Sequence, residues 1–290
     1  AYSEAISPLI GEKIDIPAPD VNTNGKIMSW MVDAYENVVK HSAPGVFTGK
    51  PVEFGGSLAR TEATGYGVNF AAVQALEKLG KDVKGATYAI QGFGNVGYHT
   101  GYYAHKAGAK IVAVSTVDVA IYNENGLDME AIIKEFQTKG FITNEAGYGK
   151  EISNAELLAL EVDVLAPCAL ENQLTSENAG KVRAKIVVEG ANGPTTPEAD
   201  VILRQNGVLV VPDILANCGG VVVSYFEWVQ NLQGYYWEFD EVQEKETVVL
   251  RRAFRDIWNL AQEYDVDLRT ASYMMSIRRV EKAMKLRGWY

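Results

Sequence analysis

Short apolar runs alternate with amphipathic segments through the middle of the chain, and this alternation predicts an α/β fold. Five runs have the length and β-branched content of buried strands, at residues 86–90, 110–115, 162–166, 185–189 and 208–211. Segments with apolar residues at helical spacing separate them, at residues 95–109, 128–138, 154–160, 176–182 and 197–205. Asn154 is the predicted N-cap of the third of these helices. Strands and helices in this order are typical of a doubly wound, mostly parallel sheet with right-handed crossovers.

Outside the alternating region the pattern is helical. Apolar residues recur at helical spacing over 25–40 and 63–79, and again over 221–232, 239–264 and 268–286. The last three segments predict a carboxyl-terminal helical cluster, which must pack against the sheet domain or against another domain.

A glycine-rich loop with the pattern G-x-G-x-x-G joins the first predicted strand to the next helix, as in a dinucleotide-binding (Rossmann-type) unit. Gly92 permits the tight turn, Gly94 lets the backbone approach a pyrophosphate, and Gly97 lets the helix pack close to the strand. Asn95 and Val96 begin the helix, whose free N–H groups are expected to face the phosphates.

Polar residues follow several of the predicted strands, where ligands bind in an open α/β sheet. Asp118 lies beyond the second strand, at about the distance at which an acid holds the ribose 2′-hydroxyl of NAD. Asn192 and Asn217 follow later strands, and their amides are candidates to fix a carboxamide such as nicotinamide. A capping or turn role is the alternative for each asparagine.

The composition is that of an ordinary globular protein that binds small molecules. The chain has 290 residues, of which 47% are hydrophobic and 22% charged, enough for one large domain or two modest ones. Its formal net charge of −10 disfavours nucleic acid as a partner.

The two cysteines, Cys168 and Cys218, are too few for a disulfide scaffold and lack the spacing of a zinc or redox motif, so we expect no metal. No secretion signal and no apolar run long enough to cross a membrane is evident. The sequence therefore predicts a cytoplasmic protein that does not engage a membrane.

Asp20 is a candidate general acid or base. It follows two prolines and precedes the polar run 22–24, so its carboxylate is held on stiff backbone. The alternative is that Asp20 caps the helix that begins at Gly25.

Five blocks in chain order resemble the glutamate dehydrogenase family, and the resemblance extends over essentially the whole chain. They are IPAPD at 16–20, TGKP at 48–51, GGSLARTEATG at 55–65, ANGPTTPEA at 191–199 and VSYFEWVQN at 223–231. The resemblance implies the interconversion of L-glutamate with 2-oxoglutarate and ammonia, with NAD or NADP as the cofactor. It also implies a homohexamer for the full-length enzyme.

The resemblance implies a role for each matching residue. Asp20 matches the family's catalytic aspartate, and Ser224 matches the serine that contacts the substrate carboxylate. The residues in blocks that face the cofactor are Arg60, Thr64, Asn95, Asn192 and Asn217.

The chain departs from the family in two places. The family's glycine-rich segment with catalytic and substrate-binding lysines is expected before residues 16–20, and this sequence has no such segment. We therefore interpret the chain as the carboxyl-terminal two-thirds of such an enzyme, inactive alone. Its expected parts are a remnant of the substrate domain over 1–45, a dinucleotide-binding domain over 46–224 and a helical or hinge region over 225–290.

The second departure concerns the cofactor. Family members often place an acid directly after the second strand, where this chain has Thr116 and the acid arrives at Asp118. NAD is favoured because residues 115–122 contain no Arg or Lys to pair with a 2′-phosphate, and NADP stays open. Two other functions stay open as well: a dehydrogenase of another amino acid, which the block at 225–231 disfavours, and a regulatory module that binds NAD without turnover.

Overall fold

The computed structural model describes residues 1–20 and 22–289, and the chain divides into two compact units. Unit 1 comprises Ala1–Ala63 and Gly220–Val249, and unit 2 comprises Thr64–Gly219 and Leu250–Tyr290. Each unit has hydrophobic clusters of its own. The three-part division expected from the sequence stays a prediction.

Unit 2 is built on a seven-stranded sheet with the strand order β4-β3-β2-β1-β5-β6-β7. The strands are β1 (Thr87–Gln91), β2 (Lys110–Ser115), β3 (Ala120–Tyr122), β4 (Lys150–Ile152), β5 (Val164–Pro167), β6 (Ile186–Val188) and β7 (Leu209–Val211). Five of them are parallel, and β3 and β4 pair antiparallel at one edge. The predicted mostly parallel sheet is confirmed, and β3 and β4 are additions that the sequence pattern did not predict.

Helices cover both faces of this sheet. They are α3 (Ala63–Lys78), α4 (Asn95–Lys106), α5 (Met129–Lys139), α6 (Asn154–Leu158), α7 (Pro197–Gln205), α8 (Asp213–Ala216), the second half of α10 (Phe239–Tyr264) and α11 (Leu268–Leu286). Alternate residues of the central strands point to opposite faces, so Tyr88 and Ile90 join one hydrophobic cluster and Ala89 joins the other. The doubly wound architecture is therefore confirmed.

Two local predictions in unit 2 are wrong. The N-cap of α6 is Ser153, whose Oγ accepts from the Glu156 N–H while the Glu156 carboxylate accepts from the Ser153 N–H, so Asn154 is the first helical residue instead. The helix expected over 176–182 is only a 3-10 turn at Ala179–Lys181. There the Asn178 side chain binds the backbone of Thr175 and Gln173, which replaces the hydrogen bonds of a longer helix.

Unit 1 is mainly helical. It contains α1 (Tyr2–Ile6), α2 (Gly25–Val39), nearly all of α9 (Gly219–Gln233) and the start of α10. The side chain of Asn24 accepts from the Ile27 N–H and caps α2, so Asp20 is not the N-cap of this helix. Among the described residues of both units, no helix combines the length and hydropathy needed to cross a membrane.

Candidate functional site

The three glycines of the β1–α4 loop have different structural reasons to be glycine. Gly92 has a φ of +84°, and a Cβ there would lie 2.6 Å from the Cα of Ala169. A Cβ at Gly97 would overlap the carbonyl oxygen of Gly92. Gly94 is the N-cap of α4, and a Cβ there would meet no atom within 4 Å. The protein itself therefore requires the first and third glycines, whereas the space above Gly94 fits a ligand that lies against the start of α4, such as a pyrophosphate.

The end of β2 holds this loop in place. The N–H of Gly92 donates to Ser115 Oγ at 3.2 Å, and the N–H of Phe93 donates to the Ser115 carbonyl at 2.6 Å. The buried ring of Phe93 packs edge-on against Tyr98 and Phe136. The backbone of the loop is therefore fixed before any ligand binds.

The start of α3 packs against the first turns of α4. A Cβ at Gly65 would lie 2.5 Å from the Cβ of His99 and 2.6 Å from the carbonyl oxygen of Val96, so only glycine allows this approach. The structure thus brings Thr64, the neighbour of Gly65, close to the end of α4 at which Asn95 is exposed.

Thr116 and Asp118 lie in the tight turn between β2 and β3. The N–H groups of Asp118 and Val119 both donate to Thr116 Oγ1 at 3.2 Å, and the N–H of Thr116 donates to the Val119 carbonyl at 2.7 Å. The hydroxyl of Thr116 therefore shapes the turn, and the carboxylate of Asp118 is exposed on it, beyond the carboxyl end of β2.

Asn192 and Asn217 lie in direct contact. The Nδ2 of Asn217 donates to Asn192 Oδ1 at 2.7 Å and to the Gly190 carbonyl at 3.3 Å. Gly190 follows β6, and Cys168 follows the neighbouring strand β5. The two residues are close together: a Cβ on Gly190 would lie 2.5 Å from the Cys168 Sγ. Two residues 25 positions apart thus form one amide pair at the carboxyl edge of the sheet.

An ion cluster that the sequence did not predict supports this edge. Arg269 of α11 donates to both carboxylate oxygens of Glu189, at 2.6 and 3.1 Å, and to Asp200 at 2.6 Å. Asp213 lies 3.5 Å from Arg269 and accepts from the Gly193 N–H at 2.8 Å. Burial lowers the pKa of Arg269, but the hydrogen bonds and charges of these carboxylates outweigh it and raise that pKa. The cluster fixes the loop that carries Asn192.

Asp20 lies in unit 1, in a loop that its own backbone closes. The N–H of Asp20 donates to Thr23 Oγ1 at 2.6 Å, and Thr23 donates from its hydroxyl and its N–H to the Asp20 carbonyl. The side chain of Asp20 is exposed. The backbone N–H and carbonyl of Asp20 are therefore both held by Thr23, and a fixed backbone favours proton transfer by the side chain.

The proline segment before Asp20 packs against the segment 48–51. The N–H of Thr48 donates to the Pro17 carbonyl at 3.1 Å, and Gly49 has a φ of +76° with Pro19 directly against it. A Cβ at Gly49 would lie 2.5 Å from Pro19 Cγ, so this position requires glycine.

The same segment binds α9. The hydroxyl groups of Thr48 and Ser224 lie 2.6 Å apart, and Ser224 is buried. One turn further along α9, Glu227 accepts from the Gly49 N–H at 3.0 Å and from Lys50 Nζ at 2.6 Å. Burial lowers the pKa of Lys50, and the charge of Glu227 opposes this shift. No role for Lys50 or Glu227 was predicted, although both lie in blocks that carry the family resemblance.

Arg60 also lies in unit 1. Its Nε is buried and has no hydrogen-bonding partner. Burial lowers the pKa of Arg60, and the nearby acids Glu227 and Glu246 oppose this. Its expected role of facing the cofactor stays a prediction.

Comparison with known proteins identifies the family. A profile of glutamate/leucine/phenylalanine/valine dehydrogenase matches residues 55–288, and one of the Glu/Leu/Phe/Val dehydrogenase dimerisation domain matches residues 1–37. The chain belongs to this dehydrogenase family. A relative in Clostridioides difficile, named NAD-specific glutamate dehydrogenase, is 54% identical over 100% of this chain and 70% of its own length.

Solved structures of the family agree with the fold. Glutamate dehydrogenase from Peptoniphilus asaccharolyticus is 44% identical with a TM-score of 0.85, over 98% of this chain and 68% of its own. The hetero-hexameric glutamate dehydrogenase from Thermus thermophilus is 34% identical with a TM-score of 0.92, over 100% of this chain and 68% of its own. The dehydrogenase chain described here thus spans about 70% of the length of these relatives.

Proposed function

We propose that this chain carries the coenzyme-binding unit of an NAD-dependent glutamate dehydrogenase, which converts L-glutamate to 2-oxoglutarate and ammonia. The observation that carries the proposal is the β1–α4 loop, in which Gly92 and Gly97 are required by packing and Gly94 leaves open space at the start of a helix. Dehydrogenase relatives named NAD-specific support the choice of substrate and coenzyme.

NAD is the proposed coenzyme, with NADP as a weaker ligand. The first N–H groups of α4 would hold the pyrophosphate, and Asp118 would accept a hydrogen bond from the ribose 2′-hydroxyl. A 2′-phosphate would be repelled by this exposed carboxylate, and residues 115–122 offer no Arg or Lys to neutralise it. The amide pair of Asn192 and Asn217 would fix the carboxamide of the nicotinamide.

In the proposed reaction, bound NAD supplies the hydride acceptor. Asp20 would take and return the protons that the substrate amine and the attacking water exchange, because its carboxylate is exposed and its backbone is held by Thr23. Ser224 would orient a substrate carboxylate with a hydroxyl that Thr48 already holds. Thr64, Asn95 and Val96 would line the approach of the coenzyme at the start of α4.

The family name itself provides the second candidate function, the dehydrogenation of leucine, phenylalanine or valine. For the assembly we propose a homohexamer of the full-length enzyme, supported by the dimerisation-domain match at 1–37 and by the hexameric state named for the Thermus relative. The cytoplasmic location stays a prediction.

Two measurements test the proposed function. Calorimetric titration of the 290-residue chain with NAD and NADP should show binding of both, with NAD the tighter ligand. Glutamate, leucine, phenylalanine and valine should then be compared as reductants of NAD, after the preceding residues of the Clostridioides difficile relative have been fused to the chain. The proposal fails if NAD does not bind, and the choice of substrate fails if glutamate is not the preferred amino acid.

A further inference from the structure

Glu246 is the polar member of an otherwise apolar face of α10. Val242, Glu246 and Val249 follow one another at intervals of four and three residues, so they share one side of the helix. Val242 is fully buried in a cluster with Ala59 and Ala63, and Val249 packs against the same cluster. Glu246 is itself only 1% exposed. The α10 face therefore directs the carboxyl of Glu246 toward the chain between Ala59 and Ala63.

That chain segment contains Arg60 and Glu62. Ala59 is buried and has a φ of +61°, in the left-handed region that alanine rarely adopts. The backbone conformation of Ala59 is therefore constrained, and it determines the direction in which the Arg60 side chain points. All of these residues belong to unit 1.

Three buried polar atoms in this region have no hydrogen-bonding partner. They are Nε of Arg60 and both carboxyl oxygens of Glu246. Arg60 and Glu246 influence each other's charge, yet they do not form a hydrogen bond, because the Glu246 oxygens would then have a partner. Buried unpaired groups are costly and are rare in proteins without a functional reason.

The surroundings of Glu246 favour its uncharged form. Burial and the carboxylate of Glu62 raise the pKa of Glu246, Arg60 opposes both, and the net result is a pKa of about 9. Glu227, the other acid close to Arg60, is already paired with Lys50. At neutral pH the uncharged form of Glu246 therefore offers Arg60 no negative charge, and the Nε of Arg60 stays without a hydrogen-bonding partner.

We propose that Glu246 is a positioning residue for Arg60: its protonated carboxyl leaves the guanidinium unpaired for an anionic ligand, and its carboxylate captures the guanidinium in an ion pair. The capture releases one proton from Glu246 and removes Arg60 from the ligand. The ligand half of this inference rests on the proposed function, in which NAD is the anionic ligand, and on the expectation that Arg60 faces the cofactor. The ion pair itself does not rest on it.

A double-mutant cycle in thermal unfolding tests the ion pair without any ligand. Wild type, Arg60→Gln, Glu246→Gln and the double variant are melted at pH 7 and at about pH 10, with the exposed Glu244→Gln on the same helix as the matched control. The coupling between positions 60 and 246 should be near zero at pH 7 and reach about 2–4 °C at the higher pH. The inference is overturned if the coupling is the same at both pH values. It is also overturned if the wild type loses no stability relative to Glu246→Gln as the pH rises.

NAD titration of the same proteins tests the consequence for the ligand. Wild type and Glu244→Gln should bind NAD about tenfold more weakly at the higher pH, while Glu246→Gln should keep its neutral-pH affinity, because glutamine mimics the uncharged acid and cannot ionise. Wild-type affinity that does not change with pH, or a Glu246→Gln variant that follows wild type, contradicts the positioning role. If NAD binds none of the proteins at either pH, the proposed function has failed, and the melting cycle still decides whether the ion pair forms.

Discussion

Lys50 Nζ lies 2.6 Å from Glu227 Oε1, and neither side chain has any exposed surface. This ion pair joins the segment 48–51 to α9, the helix that carries Ser224 one turn earlier. Burying two charges is costly, and the cost is offset here by further hydrogen bonds from Gly49 to Glu227 and from Lys50 to the Phe47 carbonyl. The pair therefore fixes the position of Thr48 relative to Ser224, the residue proposed to orient a substrate carboxylate.

Lys50→Met should lower the free energy of unfolding by about 3–5 kcal/mol, because it leaves Glu227 as a buried charge without a partner. Urea denaturation followed by circular dichroism measures this loss. Lys285→Met is the control, since it removes an exposed ion pair with Glu281 and should cost less than about 1 kcal/mol. Adding Glu227→Leu to Lys50→Met should restore part of the lost stability, and a double variant that is additive would contradict the pairing argument.

Asp118→Ser should weaken NAD more than NADP. The change removes a hydrogen bond to the ribose 2′-hydroxyl and also removes the charge that repels a 2′-phosphate, so the ratio of the two affinities should move toward NADP by about tenfold. Titration of both coenzymes measures the ratio, and Glu124→Ser, which changes an exposed acid beyond the other end of β3, is the control. If both affinities stay unchanged, Thr116 or the backbone determines the preference.

Asp163 should make stability depend on pH in the acid range. Burial raises the pKa of Asp163, but hydrogen bonds from Lys81, from the Thr87 N–H and from Lys185 outweigh it and hold the pKa well below its ordinary value. A carboxyl whose pKa is lower in the folded than in the unfolded state stabilises the protein at pH values above its unfolded-state pKa. This contribution to stability is lost as the pH falls through the folded-state pKa.

Asp163→Asn should therefore cost about 1–3 kcal/mol at pH 7, and the difference from wild type should shrink below about pH 4. Urea denaturation at several pH values measures the difference. The exposed Asp82→Asn should show no such trend. A gap between Asp163→Asn and wild type that stays constant down to low pH would show that these hydrogen bonds do not require the ionised carboxylate.

Asp20→Asn should separate catalysis from coenzyme binding. In the chain fused to the preceding residues of its relative, the change should lower glutamate-dependent NADH production by at least about a hundredfold, since asparagine cannot accept a proton. The loop should survive, because Thr23 binds the backbone of Asp20. NAD affinity should not change, and Asp15→Asn is the control in the same segment. Retained turnover in Asp20→Asn would assign the proton transfer to another group.

The parts of the fold that the sequence predicted are those with local signals. The glycine pattern within one loop predicts the β1–α4–β2 unit. Helices α7, α10 and α11 begin and end at the same residues as their apolar periodicity. Strands β3 and β4 have three residues each, too few to show an alternating pattern, and they are defined by pairing with each other and with β2.

The site shows the same division. Each glycine of the loop could be assigned a role from its position in the motif, whereas Lys50 and Glu227 are 177 residues apart and meet only in the folded chain. Asn192 and Asn217 could be named separately from the strands they follow, but their mutual hydrogen bond depends on the order of the strands in the sheet. Sequence patterns report local conformation and cannot report which distant side chains neutralise one another.

The space above Gly94 offers the most direct test of the account. Gly94 and Gly180 are both exposed, neither has a positive φ, and a Cβ at either position would meet no atom within 4 Å. We therefore expect Gly94→Val and Gly180→Val to fold with unchanged melting temperatures. Calorimetric titration with NAD should show wild-type affinity for Gly180→Val. For Gly94→Val it should show a loss of at least about a hundredfold, ~2.7 kcal/mol, because the valine side chain fills the place of the pyrophosphate. A folded Gly94→Val variant that binds NAD as tightly as wild type would contradict the assignment of this loop as the coenzyme site.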